Sequence, residues 1–252
     1  MHPIVNVAVR AARRAGDIIL RYHTRVADLE MSRKGQGDFV TEVDRAAERA
    51  IISTIREFYP DHGLLAEESG SRPGKEEATW IVDPLDGTAN YVRQIPHYAV
   101  SIAVRLKGRL EHAVIYDPRR NELFTATRGW GAQLDNRRIR VSRHDTLAEA
   151  VLALSVPQSL DDRTGGQLAH RGVTRRRMGS AALDLAYVAA GRFDGFWGTG
   201  LQPWDLAGGV LLVREAGGLI SAPDGGEDFM ERGNIVATNR RLFRETLRGI
   251  QP

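Results

Sequence analysis

Apolar residues in the N-terminal part of the chain recur at the spacing of two amphipathic helices. Between Ile4 and Tyr22 an apolar residue returns every three or four positions, which predicts a helix with one face packed inward. The same pattern from about Asp44 to Phe58 predicts a second helix. The polar, glycine-bearing segment between them is typical of a loop.

Two short apolar runs then stop abruptly at carboxylates. The run GLLAEES ends at Glu67 and Glu68, and the run TWIVDPLDGTAN reaches Asp83 and Asp86. Short apolar runs of this kind are consistent with buried strands. Strands that end in acids would deliver these side chains to the edge of a sheet, where functional residues commonly lie.

From His97 to Val141 the pattern changes to β-rich runs separated by turns. Lys107–Gly108 and Asp117–Pro118 are turn signals between these runs. Consecutive strands joined by such short turns favour an antiparallel meander. We therefore predict that this stretch forms most of one antiparallel sheet.

A polar stretch near residues 142–146 marks a boundary between two lobes. We predict an N-terminal α+β lobe over residues 1–145 that carries most of the metal ligands, and a C-terminal α/β lobe over residues 146–252 that completes the site. In the second lobe, Ser180 is an expected helix N-cap and Gly191 an expected helix end. The predicted elements there are a strand at AVLALSVP, helices at GSAALDLAYVAAG and WDLAGGVLLVREAGG, a strand at NIVATN and a helix at RRLFRETLRGI.

Composition and charge exclude several classes of chemistry. The 252 residues are 42% hydrophobic and 27% charged, which is ordinary for a globular protein. The chain has no cysteine, which excludes disulfides, zinc–thiolate sites and cysteine nucleophiles. Charges interrupt the first helix, so we expect no signal peptide, no membrane span and a cytoplasmic location. The net charge is +3, but the arginine clusters around Arg137 and Arg175 lack interleaved aromatics, which argues against direct nucleic-acid binding.

The sharpest chemical signal is the stretch IVDPLDGTAN. Asp83 and Asp86 lie at a predicted strand–helix junction, directly before Gly87 and Thr88. Carboxylate oxygens suit Mg²⁺ or Mn²⁺, and backbone N–H groups at a helix start suit an anion. A capped helix would explain this stretch alone equally well. Further acids at the ends of predicted elements shift the balance toward a metal site, namely Asp44, Glu67 and Asp205.

Five motifs, in this order, closely resemble the inositol monophosphatase family, and among its members the bacterial extragenic-suppressor type: FVTEVD, LLAEES, WIVDPLDGTANYV, GSAALDLAYVAAGRFDG and PWDLAGGVLLVREAGG. The likeness runs from about Pro3 to Arg248. It implies an α+β fold with α/β/α/β/α layers, as in sugar phosphatases, with a mostly antiparallel sheet in the first lobe and a mixed sheet in the second. It also implies a lithium-sensitive enzyme that forms a homodimer.

The resemblance implies a metal-dependent reaction. Two to three Mg²⁺ ions would bind per active site, and Mn²⁺ could substitute for them. Their ligands would be Glu67, Asp83, the carbonyl of Leu85, Asp86 and Asp205. Metal-activated water would attack phosphorus. The residues with catalytic roles would be Glu67 and Thr88, which orient the water, and Asp44, which supports Thr88.

The resemblance also implies a substrate-binding set, which contains one departure from the family. The set is Asp86, Gly87, Thr88, Ser180, Ala181 and Gly198. Gly87 and Thr88 would bind phosphate, while Asp86 and the N–H of Ala181 would meet substrate hydroxyls. The family usually carries a glutamate where this chain has Gly198. Glycine cannot accept a hydrogen bond from a substrate hydroxyl and should leave extra room, so we expect lower selectivity for inositol; the alternative is that water or Gln202 fills the gap.

The implied activity is hydrolysis of inositol 1-phosphate or a related small phosphate monoester, by a phosphoric monoester hydrolase. Fructose 1,6-bisphosphate, histidinol phosphate, a nucleotide 3′-phosphate and NADP stay open as substrates. A binding role instead of an enzymatic one also stays open, because some bacterial relatives act as partners of the transcription machinery. An inactive scaffold should have lost metal ligands, and every expected acid is present. We interpret His62, His97 and His112 as structural or solvent-facing rather than as bases.

Overall fold

The computed structural model of the protein describes residues 2–23, 31–33, 39–160 and 168–250. Helices α1 (Pro3–His23) and α2 (Glu42–Phe58) form where the spacing predicts them, and each buries one apolar stripe. They pack against each other and against one face of the first sheet. The segment between the helices contains two paired antiparallel strands that the sequence did not predict, β1 (Met31–Arg33) and β2 (Phe39–Thr41).

The first sheet has eight strands in the order β10-β9-β8-β7-β6-β5-β3-β4. Strands β3 and β5 are parallel, and the other neighbouring pairs are antiparallel. The predicted meander is present, and β6 and β7 are joined by Lys107 and Gly108, both at positive φ as a two-residue hairpin turn requires. The strands are β3 (Gly63–Ala66), β4 (Gly70–Arg72), β5 (Ala78–Asp86), β6 (Ala99–Leu106), β7 (Arg109–Asp117), β8 (Glu122–Thr127), β9 (Gly131–Leu134) and β10 (Arg137–Arg138).

The second sheet has five strands in the order β12-β11-β13-β15-β14. It is mixed, because β11 runs parallel to β12 and β13 whereas β15 runs antiparallel to β13 and β14. Its strands are β11 (Val151–Ser155), β12 (Thr174–Arg176), β13 (Gly195–Gly198), β14 (Leu219–Ser221) and β15 (Ile235–Thr238). The remaining helices with described bounds are α3 (Thr88–Val92), α4 (Ala181–Ala189), α5 (Pro203–Glu215), α6 (Phe229–Arg232) and α7 (Phe243–Ile250).

Three apolar layers hold these elements together and give the expected α/β/α/β/α order. The first lies between α1, α2 and the first sheet. The second surrounds α4 and α5, which lie between the two sheets. The third lies between the second sheet and α7. Neighbouring residues on β13 show the division: Phe196 packs into the second layer and Trp197 into the third, because successive side chains of a strand face opposite sides.

Helix α5 connects the two halves of the chain. Eight consecutive residues, Leu206 to Val213, are buried, so this helix has no solvent-facing side over most of its length. Its glycines allow close packing: a Cβ at Gly208 would lie 2.8 Å from Ser101 Oγ on β6. The predicted division into two lobes at residue 145 stays a prediction. Helix α5 comes from the second half of the chain and packs on the first sheet. Among the described helices, none is long and apolar enough to span a membrane.

Candidate active site

Four chain segments meet at one cleft of about 590 Å³. The first is the end of β3, and the second is the end of β5 with the start of α3. The third is Gly179, just before α4, and the fourth is the loop before α5 with the first turn of that helix. The lining residues are Glu67, Asp83, Leu85, Asp86, Gly87, Thr88, Ala89, Gly179, Gly200, Leu201, Gln202, Trp204 and Asp205.

A bulge in β5 brings its two aspartates to the same cleft. In a regular strand, residues three apart face opposite sides of the sheet. Here Asp83 pairs with Ser101 and Asp86 with Ala99, so β5 carries one residue more than β6 over this interval. Pro84 lies in the bulge, where its missing N–H is tolerated. The N–H of Leu85 donates to Asp83 Oδ1 at 3.0 Å and holds this carboxylate in place.

Three carboxylates form a close group. One oxygen each from Asp83, Asp86 and Asp205 lies within 4.8 Å of the other two. Burial and then the charges of the neighbouring acids raise the pKa of Asp83 well above its ordinary value. Burial raises the pKa of Asp86 to about 6, although hydrogen bonds from Ser180 and Ala182 oppose the shift. Nearby cations would stabilise the charged forms of these buried acids, and this donor set fits a hard divalent metal ion.

The other two expected ligands lie on the same cleft but outside the close group. Glu67 follows the last residue of β3, and its charge contributes to the raised pKa of Asp83. The carbonyl oxygen of Leu85 accepts a hydrogen bond from Thr88 Oγ1 at 2.9 Å. The structure thus brings all five expected ligands to one cleft, and their assignment as ligands stays a prediction.

Asp205 serves two structural purposes. It is the third residue of α5, and its Oδ2 accepts the N–H of Gln202 at 2.8 Å in a capping box. Pro203 occupies the first helical position, where proline is favoured. The same carboxylate therefore caps the start of the helix and belongs to the acidic group.

Asp44 lies beside Thr88 and does not line the cleft. Asp44 lies in the first turn of α2 and is 2% exposed. Thr88 Oγ1 lies 3.4 Å from Asp44 Oδ1, which is longer than its 2.9 Å contact with the Leu85 carbonyl. Because a hydroxyl donates one proton, Thr88 donates to Leu85 in this arrangement.

The expected substrate contacts divide into two sets. Gly87 and Thr88 line the cleft, and Gly87 adopts a left-handed backbone (φ 93°) directly before α3. Ser180 and Ala181 are buried and lie behind Asp86 instead of on the cleft. Ser180 caps α4 and donates its hydroxyl to Asp86 Oδ2 at 2.5 Å. The N–H of Ala182 also donates to Asp86 Oδ2, at 2.7 Å.

The expectation of extra room at Gly198 is wrong. Gly198 is the last residue of β13, is buried and does not line the cleft. A Cβ added there would lie 2.5 Å from Leu201 Cδ1 and 2.8 Å from the ring of Phe196. Leu201 therefore fills the space beside the glycine, and it presents an apolar side chain to the cleft.

Sequence reasoning missed a buried network behind the site. Asn90 donates both amide hydrogens, to the carbonyls of His97 and Met178, each at 2.7 Å. His97 Nε2 lies 3.1 Å from Asp184 Oδ1, and both side chains are buried. The interpretation of His97 as a structural residue is consistent with this buried pair. Asp184 stands within the apolar run AALDLAYV, and a buried acid in such a run signals a partner.

The acidic group should make the stability of the metal-free protein depend on pH. A carboxyl whose pKa is raised by folding stabilises the folded state while protonated, and this stability is lost as the pH rises through the folded pKa. For Asp86 that value is about 6. In the unfolded chain this pKa is 3.8, so in excess chelator we expect this group to lower the melting temperature from about pH 4 to about pH 6.5.

Thermal unfolding of the wild type and of Asp86→Asn across this pH range checks the prediction. The asparagine can still accept the hydrogen bonds of Ser180 and Ala182, but it carries no charge. The variant should show a shallower fall. Equal slopes for the two proteins would contradict the prediction.

The layered α+β fold and its cluster of buried acids define a class of protein with an acidic site that could bind metal ions. The chain belongs to the inositol monophosphatase family, whose sequence profile matches residues 1–251. It is 53% identical to the Nus factor SuhB of Escherichia coli K12 over 254 residues, which cover 98% of this chain and 95% of the relative. The predicted family membership is therefore confirmed.

Solved structures agree with this assignment. The extragenic suppressor protein SuhB of Bartonella henselae is 42% identical and superposes with a TM-score of 0.97 over 99% of each chain. The inositol monophosphatase of Anabaena is 36% identical, with a TM-score of 0.85 over 98% of this chain and 94% of that chain. The predicted fold class is confirmed by these neighbours and by the two sheets described above.

Proposed function

We propose that this protein is a Mg²⁺-dependent phosphatase that hydrolyses inositol 1-phosphate or a related small phosphate monoester. One observation supports this most directly: four carboxylates line the cleft, and no described residue that lines it is a lysine, arginine or histidine. A phosphate dianion would be repelled by such a surface. Divalent cations bound to the acids would reverse the local charge and allow the anion to enter.

The metal ions would be held by Asp83, Asp86 and Asp205, with Glu67 and the carbonyl of Leu85 completing the set. All donors are oxygens, as Mg²⁺ prefers. The bound ions would activate a water molecule and stabilise charge on the phosphoryl and leaving oxygens.

The chain's own residues would position the reactants. Glu67 and the hydroxyl of Thr88 would orient the attacking water. Asp44 would accept the proton of the Thr88 hydroxyl once the Leu85 carbonyl serves as a metal ligand instead. The backbone N–H groups of Gly87 and Thr88 would bind phosphate oxygens. Ser180 and Ala182 donate hydrogen bonds that favour the charged form of Asp86, which is the form that a metal ligand needs.

Phosphate release from a substrate panel tests the proposal. The panel comprises inositol 1-phosphate, fructose 1,6-bisphosphate, histidinol phosphate, a nucleotide 3′-phosphate and NADP, each with and without Mg²⁺. We expect turnover of at least one monoester only with Mg²⁺ present. Failure of every substrate in Mg²⁺ and in Mn²⁺, with a folded protein, would overturn the proposal.

The relative in Escherichia coli supports a second candidate function. That protein is named a Nus factor, and it is similar to this chain over nearly its whole length. We propose that this chain could also associate with the transcription machinery. Pull-down of purified RNA polymerase by the wild type and by Asp83→Asn separates the two functions, because a binding role should survive loss of a metal ligand. If neither protein captured RNA polymerase, the proposed association with the transcription machinery would be contradicted.

The family resemblance also supports a homodimer, inhibition by Li⁺ and a cytoplasmic location. Light scattering of the purified protein tests the oligomeric state, and a monomer at working concentration would contradict it. Inhibition by Li⁺ but not by K⁺ at equal ionic strength tests the second proposal. Fractionation of cells tests the cytoplasmic location, and recovery of the protein outside the cytoplasmic fraction would contradict it.

One wall of the first cleft is formed by residues 200–204, just before and at the start of α5. We expect this wall to make the enzyme weakly selective among leaving groups. Leu201 and Trp204 are apolar there, and Gln202 is uncharged. With no carboxylate from Gly198, hydroxyls of an inositol ring would lack a strong acceptor on this wall. We expect the wild type to favour inositol 1-phosphate over glycerol 2-phosphate by less than about tenfold in kcat/KM.

A double variant tests this wall. Gly198→Glu needs space that Leu201 and the ring of Phe196 now fill. It is therefore combined with Leu201→Ala, and the Phe196 ring must also shift. The backbone at Gly198 is not in the left-handed region and accepts a side chain. The double variant should raise the preference for inositol 1-phosphate by about ten- to a hundred-fold, the value of a hydrogen bond to a charged acceptor. Leu201→Ala alone is the matched control; a strong wild-type preference that the double variant leaves unchanged would contradict the prediction.

A further inference from the structure

A second cleft, of about 300 Å³, lies at the other end of α5. The first cleft contacts the start of this helix, whereas the second includes Ala216 and Gly217 just past its end. A helix of 13 residues is roughly 20 Å long, so the two clefts are well separated. We call the second one the arginine cleft, after the exposed side chains that line it: Arg140, Arg143, Arg240 and Arg241.

One buried residue holds the two arginine-bearing segments together. Asn239 is 2% exposed, and its amide donates to Ser142 Oγ and to the carbonyl of His144, both at 2.9 Å. Its oxygen accepts the N–H groups of Arg241 and Leu242 at 2.9 and 3.0 Å. The full hydrogen-bonding capacity of this amide is used, so the segments on both sides of the cleft are fixed relative to each other.

The cleft carries an excess of positive charge. Arg241 lies 3.4 Å from Asp145, and both side chains are exposed. Among the residues that the structure describes, no carboxylate pairs with Arg140, Arg143 or Arg240. Asp194 lies below the cleft, but its oxygens accept hydrogen bonds from Ser142 Oγ and from the N–H of Val151.

Some arginines elsewhere in the described chain are neutralised by acids. Arg192 pairs with Glu122, and Arg232 pairs with Asp224. In the arginine cleft, four guanidinium groups face two nearby carboxylates, Asp145 and Asp194. The net positive charge on this concave surface creates a local field that attracts anions.

We propose that the arginine cleft binds a phosphate group of an anionic ligand. This site is distinct from the first cleft, which is lined by four carboxylates and which we call the acidic cleft. The planar guanidinium group matches two phosphate oxygens at once, which makes arginine a preferred phosphate ligand. The volume suits a small phosphorylated molecule or one phosphate of a longer chain. This inference does not depend on the proposed phosphatase activity, because the acidic cleft has no cationic side chain and would meet phosphate only through metal ions.

Titration of the full protein in excess chelator tests the proposal, since the acidic cleft then lacks cations. Calorimetry with sodium pyrophosphate probes a free phosphorylated molecule, and fluorescence anisotropy with a short labelled single-stranded RNA probes a nucleic-acid backbone. The test variant is Arg140→Gln combined with Arg240→Gln. The matched control is Arg49→Gln combined with Arg72→Gln, two exposed arginines that line a different cleft and give the same change in net charge.

We expect the wild type to bind one pyrophosphate per chain. The test variant should bind it at least about tenfold more weakly, while the control changes less than about twofold. The same difference with RNA would identify a nucleic-acid backbone as the source of the phosphate, and a difference confined to pyrophosphate would identify a free molecule. Absence of binding of both probes, or equal weakening in test variant and control, would overturn the proposal. Equal melting temperatures of the two variants and the wild type exclude misfolding.

Discussion

Replacing Asp83 by asparagine should lower kcat by at least about 10³-fold while the protein stays folded. Asp83 is 1% exposed and belongs to the close group with Asp86 and Asp205. In the proposed mechanism Asp83 would be one of the ligands of the bound metal ions, so the substitution would remove a negative charge from the metal site. The side chain has nearly the same shape and can still accept the N–H of Leu85, so local packing is kept.

The same substitution should stabilise the protein in the absence of metal. Burial and the neighbouring acids raise the pKa of Asp83, which means that its charge opposes folding at neutral pH. In excess chelator at neutral pH, Asp83→Asn should melt at a higher temperature than the wild type. A gain in stability together with a loss of activity is what a strained functional site predicts.

Turnover at saturating substrate and thermal unfolding in chelator measure both effects. Asp224→Asn is the control, because Asp224 is exposed and pairs with Arg232 at the surface. It should change activity little. If folded Asp83→Asn kept a tenth or more of the wild-type turnover, the assignment of Asp83 would be wrong.

Removing divalent cations with a chelator should abolish phosphate release, and adding Mg²⁺ should restore it. The acidic cleft has no described lysine, arginine or histidine in its lining, so nothing else there offsets the charge of a phosphate. Ligand binding to the folded state alone also stabilises it, by about 2.7 kcal/mol at a hundredfold excess over Kd. Mg²⁺ should therefore raise the melting temperature of the wild type by roughly 5–10 °C.

A paired measurement separates this effect from general ionic strength. Mg²⁺ is compared with K⁺ at equal ionic strength, on the wild type and on Asp83→Asn. We expect the rise in melting temperature with Mg²⁺ in the wild type and a much smaller rise in the variant. Full activity of the wild type in excess chelator would refute the metal-dependent mechanism.

Local spacing predicted the longer elements because their patterns repeat over many residues. The stripe of α1 and the turn at Lys107–Gly108 follow from the helical period and from the need for positive φ. The strands β12, β13 and β14 were not predicted. Each spans three or four residues, and β13 begins and ends with glycine, so too little periodic pattern is present to recognise them.

For the site, the sequence determined which residue types stand at the ends of elements, and its motifs identified the family. Tertiary structure alone decided which of those residues meet. Asp83 and Asp205 lie far apart in the chain and come within 4.8 Å because α5 packs on the first sheet. Likewise, Leu201 fills the space beside Gly198, and Asn239 joins the two sides of the arginine cleft. Spacing along a chain encodes only contacts within one helix turn or strand pair, whereas these contacts depend on how whole layers pack.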